Sequence, residues 1–148
     1  MLETKGNLWD YRGMGWVGIT TNGCVRRDGC CVMGRGTAKQ ALSYYPGIAF
    51  ALGTRIKAGG NHVYLFPEMG IFSFPVKHHW QEPADLDLIE RSAFEVSVLA
   101  CNRAKAEQFY LPRPGCGNGR LLWKNVKPVL KSLGWQFTIV ELGGIDEA

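Results

Sequence analysis

Two glycine-rich loops, residues 32–38 and 114–119, have the composition and spacing of anion-binding segments. Each follows an apolar run that predicts a strand and precedes a segment that predicts a helix. A strand, a glycine loop and a helix N-terminus together present backbone N–H groups and a positive dipole end to an anion. Two such loops in one chain of 148 residues therefore predict a ligand with more than one phosphate, bound from both sides.

The first loop lacks the spacing of the two commonest nucleotide-binding motifs. Lys39 stands where the G-x-G-x-x-G motif requires its last glycine, and no Gly-Lys-Ser/Thr follows. Gly34 and Gly36 have no Cβ atom, so their backbone can still approach a diphosphate closely. A plain turn before a helix is the alternative. The residues predicted to bind the ligand are Met33, Gly34, Arg35, Gly36, Thr37 and Ala38 in the first loop, and Gly115, Cys116, Gly117, Asn118 and Gly119 in the second.

Lys77 is the first candidate catalytic residue, and Asn22 is the second. Lys77 follows a predicted strand, so it should overhang the same edge of the sheet as the loops. A partly desolvated lysine has a lowered pKa and becomes nucleophilic toward a carbonyl carbon, whereas an ordinary surface lysine is the alternative. His78 and His79 are candidate proton carriers. Because adjacent residues of an extended segment point in opposite directions, at most one of them faces the site.

Asn22 and Asp28 precede the first loop, and each has two interpretations. Asn22 ends a predicted strand, and its amide either caps the following turn or hydrogen-bonds a ribose hydroxyl, because it both donates and accepts. Asp28 lies beside Gly29 and either forms a plain turn or orients a water molecule or a sugar hydroxyl. The residue types alone leave both alternatives open.

Strand and helix patterns alternate along the chain, which predicts an α/β sandwich around a mixed sheet. In such sheets ligands lie at the carboxyl ends of the strands, where both glycine-rich loops fall. Strands are predicted over residues 2–8, 16–21, 61–66, 70–75, 109–111 and 135–142, and helices from near residue 36 to Pro46 and over residues 47–57, 85–106 and 122–133.

Composition predicts a single globular domain, residues 1–148, because 46% of the residues are hydrophobic and 20% are charged. No apolar stretch approaches the ~20 residues of a membrane span, and the N-terminus has no signal-peptide pattern, so we expect a cytoplasmic protein. The net charge of +4 suits an anionic ligand. The basic residues are scattered, however, and predict no sequence-specific binding of nucleic acid.

The five cysteines, at positions 24, 30, 31, 101 and 116, show no paired C-x-x-C spacing. The three histidines add no recognisable pattern of metal ligands. We therefore expect reduced, mostly buried thiols, with neither a metal site nor disulfides. No cofactor is expected.

Taken together, the motifs resemble the macrodomain family over essentially the whole chain. The most specific are residues 74–80, Phe-Pro-Val-Lys-His-His-Trp, and residues 111–123, with Gly-Cys-Gly-Asn-Gly near their centre. Residues 6–8, 20–22 and 32–38 match the family in the same order. Within the family the chain is similar to the branch of DNA ADP-ribosyl glycohydrolase antitoxins and terminal ADP-ribose protein glycohydrolases. The resemblance implies a three-layer α/β/α sandwich with a central mixed sheet and a cleft for ADP-ribose.

The resemblance also implies roles for individual residues. Asn7 takes the position that binds the adenine amino group, and Asn22 lies at the distal ribose. Lys77 matches a lysine that this branch uses in catalysis on the distal ribose. Residues 34–38 lie against the diphosphate, and residues 115–119 close over the second phosphate and the distal ribose.

Two positions depart from the family pattern. Many macrodomains have Gly-Asp where this chain has Gly6-Asn7. The protein glycohydrolases of the branch have a catalytic aspartate in the second loop, whereas this chain has Asn118-Gly119, as the DNA-directed antitoxins do.

The resemblance implies an ADP-ribosyl hydrolase, which releases ADP-ribose from a modified macromolecule by reaction at the distal ribose. Two alternatives stay open: a phosphatase that acts on ADP-ribose 1″-phosphate, and a non-catalytic module that binds ADP-ribose. The expected partner is ADP-ribose or an ADP-ribosylated macromolecule, and the protein is expected to be monomeric. The sequence leaves the acceptor open between a DNA base, a protein side chain and a small molecule.

Overall fold

The computed structural model describes residues 1–142, in which six strands form one mixed sheet. The strand order is β1-β6-β5-β2-β4-β3, and the pairs are parallel except for β3 with β4, which is antiparallel. The carboxyl ends of five strands therefore meet at one edge of the sheet. The strands are β1 (Leu2–Gly6), β2 (Trp16–Asn22), β3 (Leu65–Phe66), β4 (Ile71–Lys77), β5 (Phe109–Pro112) and β6 (Phe137–Leu142).

Alternate residues of each strand point to opposite sides of the sheet. Helices cover the apolar side chains on both sides. In β4, Phe72 and Phe74 pack in the core beneath one helical layer, and Ile71 packs in the core on the other side. This arrangement confirms the predicted α/β sandwich. The helices are α1 (Gly36–Tyr44), α2 (Ile48–Gly59), α3 (Leu86–Cys101) and α4 (Trp123–Val126), with 3₁₀ turns at Leu8–Tyr11 and Lys127–Leu130.

Two predicted helices are shorter than their apolar patterns indicate. The helix predicted over residues 85–106 ends at Cys101, and Glu107 accepts hydrogen bonds from the Ala104 N–H at 3.0 Å and from the Arg103 side chain at 3.1 Å. Those bonds hold the following residues in a turn. The helix predicted over residues 122–133 divides into α4 and a 3₁₀ turn, where a proline lies in the first positions of the turn.

The strand predicted over residues 61–66 is wrong for its first four residues, and only β3 remains. Side chains replace the sheet hydrogen bonds there. Glu95 on α3 accepts from the Val63 N–H at 3.0 Å and contacts His62 Nδ1 at 2.7 Å. The Tyr64 N–H donates to the Ser73 hydroxyl at 2.9 Å.

The prediction of one domain over residues 1–148 extends past the described residues, since residues 143–148 lie outside them. Within residues 1–142, no helix combines the length and the apolar composition that crossing a membrane requires. The same range contains no cluster of three or more histidine, cysteine or acidic side chains arranged to bind a metal ion.

All five cysteines are free thiols, but the expectation that most are buried is wrong. Cys31 is buried, whereas Cys101 is exposed and the other three are half-buried. Burial raises the pKa of the Cys31 thiol to about 12. Cys31 is covered because residues 24–32 fold back against α2, where the Cys31 N–H donates to the Ala49 carbonyl at 2.9 Å.

Gly53 of α2 tests how closely that segment packs. A Cβ atom at Gly53 would overlap the carbonyl oxygen of Gly29. We predict that Gly53→Ala lowers the free energy of unfolding by about 1–3 kcal/mol, because overpacking outweighs the better helix propensity of alanine. Gly47→Ala at the start of the same helix is the control, since a Cβ there would have no neighbour within 4 Å. Chemical denaturation measures both variants, and equal stabilities would contradict the prediction.

Candidate functional site

A cleft of about 630 Å³ crosses the carboxyl ends of β6, β5, β2 and β4. Its volume lies within the range typical of small-molecule sites. Both glycine-rich loops line it, so the structure brings together the two segments that the sequence singles out. Of the predicted residues, the cleft is lined by Asn22, Met33, Gly34, Arg35, Gly36, Thr37, Ala38, Lys77, Gly115, Cys116, Gly117, Asn118 and Gly119.

The first loop ends at the N-terminus of α1, where Gly36 has a φ of +61° that favours glycine. Thr37 joins this helix end to β2, because its hydroxyl accepts from the Thr20 N–H at 3.1 Å and lies 3.2 Å from the Thr20 hydroxyl. Since the first N–H groups of a helix have no partner within the helix, this end of α1 can bind an anion in the cleft.

The second loop is fixed by its own backbone and by packing against α3. Gly115 has a φ of +76°, and a Cβ atom there would lie 2.9 Å from Ile89 of α3. The Gly115 carbonyl accepts from the Leu121 N–H at 2.9 Å, and the Gly119 carbonyl accepts from the Ala84 N–H at 3.0 Å. Glycine is therefore required at position 115 for both conformation and space.

The two loops face each other across the cleft. A Cβ atom built on Gly36 would be in van der Waals contact with Asn118 Nδ2, at 3.5 Å, so the Asn118 side chain reaches across to the first loop. A ligand that occupies the cleft would contact both loops.

Asn22 and Lys77 are register partners at the ends of β2 and β4. The register shifts by one residue immediately before this pair, which is a β-bulge. The Asn22 side chain accepts from the Cys24 N–H and donates to the Val32 carbonyl, each at 2.9 Å. It therefore fixes both ends of the segment that leads to the first loop. A contact with a ribose hydroxyl stays a prediction for this residue.

The Lys77 amine is half-buried at the end of the cleft near β4. It donates to the carbonyl oxygens of Trp80 and Asn118, each at 3.4 Å. Burial, followed by repulsion from the Arg35 and Arg120 guanidinium groups, lowers the pKa of Lys77 below its ordinary value. A lysine in this environment gives up its proton more readily than a surface lysine, which is the property that a nucleophilic amine requires.

Asn7 lies outside the residues that line the cleft. It caps the 3₁₀ turn Leu8–Tyr11, and its side chain accepts from the Trp9 N–H at 3.0 Å. The preceding Gly6 pairs in register with Leu142, which does line the cleft. Asn7 is thus placed near the rim of the cleft at β6, and its contact with adenine stays a prediction.

The other polar candidates each have a partner outside the two glycine-rich loops. His78 lies 2.9 Å from the Asp85 carboxylate, and the ring of His79 stacks against Trp80 with 6.0 Å between centroids. Asp28 accepts from the Cys30 N–H at 3.0 Å and pairs with Arg26, which agrees with its interpretation as a turn residue. The backbone hydrogen bond from Cys30 lowers the pKa of Asp28.

The fold matches that of solved structures over nearly its whole length. The macrodomain of Mycobacterium tuberculosis DarG superposes with a TM-score of 0.73, covers 95% of this chain and 97% of its own, and is 24% identical. The chain has the macrodomain fold. The macrodomain of Thermus aquaticus DarG (TM-score 0.68, 24% identity, 95% and 96% covered) and Thermosipho africanus DarTG in complex with ADP-ribose (TM-score 0.69, 19% identity, 84% and 37% covered) are also similar.

A curated relative, the DNA ADP-ribosyl glycohydrolase of Thermus aquaticus, is 30% identical to this macrodomain over 105 residues. The aligned segment covers 65% of the chain but only 29% of the relative, so the chain spans less than a third of that protein. No protein-family model matches the chain. The predicted resemblance to macrodomains is confirmed, and the similar proteins include DarG macrodomains and a DNA ADP-ribosyl glycohydrolase.

Sequence reasoning missed the polar wall of the macrodomain cleft at β6. Arg113 pairs with Glu141 at 3.3 Å, and its guanidinium lies 4.8 Å from the centre of the Trp123 ring. All three residues line the cleft. The position of Arg113 between two prolines at the end of a predicted strand was the available signal. Other lining residues outside the predicted set include Thr20, Thr21, Gln40, Trp80, Leu122 and Leu142.

Removing the Asn22 side chain tests its structural role in the macrodomain. We predict that Asn22→Ala lowers the free energy of unfolding by about 1–2 kcal/mol, because two half-buried backbone groups lose their partners. ADP-ribose affinity should fall as well, since the first loop is no longer fixed. Denaturation and calorimetry measure the two effects. The control is Lys39→Ala on the exposed side of α1, and full stability of Asn22→Ala would contradict the role as a cap.

Proposed function

We propose that this chain binds ADP-ribose and hydrolyses the bond between the distal ribose and a modified macromolecule. The observation that carries the proposal is the Lys77 amine with its lowered pKa, which lies at one end of a cleft enclosed by two anion-binding loops. The curated relative named DNA ADP-ribosyl glycohydrolase and the similar structure solved with ADP-ribose support it. The proposal includes a monomeric, cytoplasmic protein that needs no cofactor, because one chain supplies every group that the reaction uses.

In the proposed complex, the ligand runs along the cleft from β6 to β4. The loops meet near the middle, so the diphosphate contacts both of them. The adenosine then extends toward β6, where Asn7 is at the rim. The distal ribose extends toward β4, between Asn22 and Lys77. This placement brings C1″ of that ribose to the Lys77 amine.

A neutral amine is required for the chemistry. Because positive charge develops at C1″ as the bond to the acceptor weakens, a protonated lysine would oppose it. In the proposed reaction, Nζ of Lys77 forms a bond to C1″ of the distal ribose while the bond from C1″ to the acceptor breaks, and a proton from Nζ passes to the departing acceptor. Water then breaks the bond between Nζ and C1″, which releases ADP-ribose and restores the amine. Water is the only co-reactant.

We further propose that the acceptor is a base of DNA. Arg35 and Arg120 lie close enough to Lys77 to lower its pKa, and both are exposed. Among residues 1–142, no carboxylate forms an ion pair with either of these arginines. Exposed guanidinium groups near the Lys77 amine suit the phosphates of a nucleic acid. The printed name of the curated relative agrees with this acceptor.

Substitution of Lys77 separates binding from catalysis. We predict that Lys77→Ala reduces the release of ADP-ribose from ADP-ribosylated DNA by at least about 100-fold, because the covalent step is lost. Calorimetry should give an affinity for free ADP-ribose within about threefold of the wild type, since the loops that bind the diphosphate remain. Lys39→Ala is the control for loss of a positive charge outside the cleft.

The substrate panel distinguishes the alternatives. If the wild-type protein releases phosphate from ADP-ribose 1″-phosphate and does not act on DNA or protein conjugates, the protein is a phosphatase and the proposed hydrolase activity is wrong. Tight binding of ADP-ribose without turnover of any substrate would replace it by a binding module. Turnover of protein conjugates alone would overturn the DNA acceptor, and wild-type activity of Lys77→Ala would overturn the role of the lysine.

The pH dependence tests the protonation state of Lys77. Because the neutral amine is the reactive form, kcat/KM should rise with pH and level off near the pKa of Lys77, below the ordinary value of about 10.4. Arg120→Asn removes one repelling charge and raises that pKa, so the midpoint should move to higher pH. Asparagine tolerates the φ of +67° at this position, and Arg120→Lys is the control that keeps the charge. A midpoint that is the same in all three proteins would contradict the mechanism.

A further inference from the structure

Trp80 is an exposed aromatic residue at the end of the cleft near β4. It lies three residues beyond Lys77, lines the cleft and is 43% exposed. The tryptophans at positions 9, 16 and 123 each donate an indole N–H to a side chain of another segment. No residue of the described range 1–142 accepts a hydrogen bond from the indole of Trp80. The ring therefore offers an aromatic surface and an indole N–H donor to a group that is bound beyond the distal ribose.

The segment that carries Trp80 is held in place by its backbone. The Trp80 carbonyl accepts from Nζ of Lys77 at 3.4 Å, which joins the tryptophan to the candidate catalytic amine. The Glu82 N–H donates to the His79 carbonyl at 3.1 Å, and the Gln81 N–H donates to Nδ1 of His79 at 3.2 Å. The rings of His79 and Trp80 stack at an interplanar angle of 25°. These contacts hold the backbone of Trp80 at the end of the cleft.

The position of Trp80 relative to Lys77 limits what it can contact. The ADP-ribosyl group occupies the cleft between β6 and β4, and its C1″ atom lies at Lys77 under the proposed function. The acceptor is bonded to C1″ and so must leave the cleft at the β4 end, where Trp80 lies. Arg35 and Arg120 are exposed at the same end. An exposed aromatic ring and guanidinium groups around the same lysine form the combination that binds single-stranded nucleic acid by stacking and charge.

We propose that Trp80 is a positioning residue, whose ring stacks on the nucleobase that carries the ADP-ribosyl group. The inference rests on the proposed function and adds to it the residue that aligns the acceptor. Stacking orients the base so that its bond to C1″ is directed at the Lys77 amine. Because the ring contacts the acceptor and not ADP-ribose, substitution of Trp80 should lower the turnover of modified DNA and leave the affinity for free ADP-ribose unchanged.

Three tryptophan variants test this role. The substrate is a short single-stranded DNA oligonucleotide with one ADP-ribosyl group on a base, and free ADP-ribose is the binding control. Trp80→Ala should lower kcat/KM on the oligonucleotide by about five- to 100-fold, the loss expected for one stacked base, with ADP-ribose affinity within about twofold of wild type. Trp80→Phe should restore most of the activity. Trp135→Ala is the matched control, because Trp135 is 60% exposed and does not line the cleft.

The outcomes separate this inference from the proposed function. Wild-type turnover that Trp80→Ala leaves unchanged would overturn the role of Trp80 and leave the hydrolase in place. An equal loss of affinity for free ADP-ribose would also overturn it, since it would show a structural effect on the cleft.

A wild type without turnover would overturn the hydrolase but would still test Trp80. In that case, equilibrium binding of the same modified oligonucleotide is compared with binding of free ADP-ribose. Tighter binding of the oligonucleotide that Trp80→Ala abolishes and Trp80→Phe retains supports stacking. Equal affinities of the wild type for the two ligands would contradict it.

Discussion

The parallel pairing of β2 with β4, and the bulge at its end, is the constraint on which the candidate site depends. The pairing brings Asn22 and Lys77 to one edge of the sheet, although 54 residues lie between them in the sequence. The bulge falls beside Pro75, which has no N–H for the sheet. The carbonyl groups of Pro75 and Val76 accept instead from Ser92 at 2.7 Å and Asp85 at 2.9 Å. The end of β4 is therefore anchored to the start of α3. This anchoring fixes the position of the backbone from which the Lys77 side chain extends.

Asn22 and Lys77 divide the work of the site between them. Asn22 uses its amide to fix the segment that leads to the first loop, so its effect reaches the diphosphate through the backbone. Lys77 contacts backbone carbonyls on two separate segments and lies among positive charges. One residue therefore maintains the shape of the cleft, and the other places an amine within it. Under the proposed function, the loops hold the ligand and this amine reacts with it.

The sequence was sufficient to predict the sandwich, the cleft and the loops, because those depend on local patterns. Hydrophobic periodicity identified the core strands, and glycine spacing identified the two loops that line the cleft. The errors fall where tertiary partners override a local pattern. Glu95 takes the hydrogen bonds that a strand at residues 61–64 would have made, and Glu107 fixes the turn that follows α3. The residues next to Glu95 and Glu107 in the sequence do not indicate that these carboxylates make such contacts.

The site itself was predictable only in part for the same reason. Lys77 follows an apolar strand in a specific motif, so its position carries a signal. The pairing of Arg113 with Glu141, by contrast, joins residues at the ends of two strands that only the sheet order brings together. Residue spacing contains no information about such a pair. The same holds for the interpretation of Asn22, since only the structure shows that its amide contacts Cys24 and Val32.

The burial of Cys31 gives the protein an internal reporter of its own motion. The thiol contacts the carbonyls of Asn22 and Val32, directly behind the first loop, and its raised pKa keeps it unreactive while that segment is closed. Alkylation of Cys31 therefore requires the segment to open. Its rate, compared with that of the exposed Cys101, measures the free energy of opening of the segment that leads to the first loop, without any substitution in the protein.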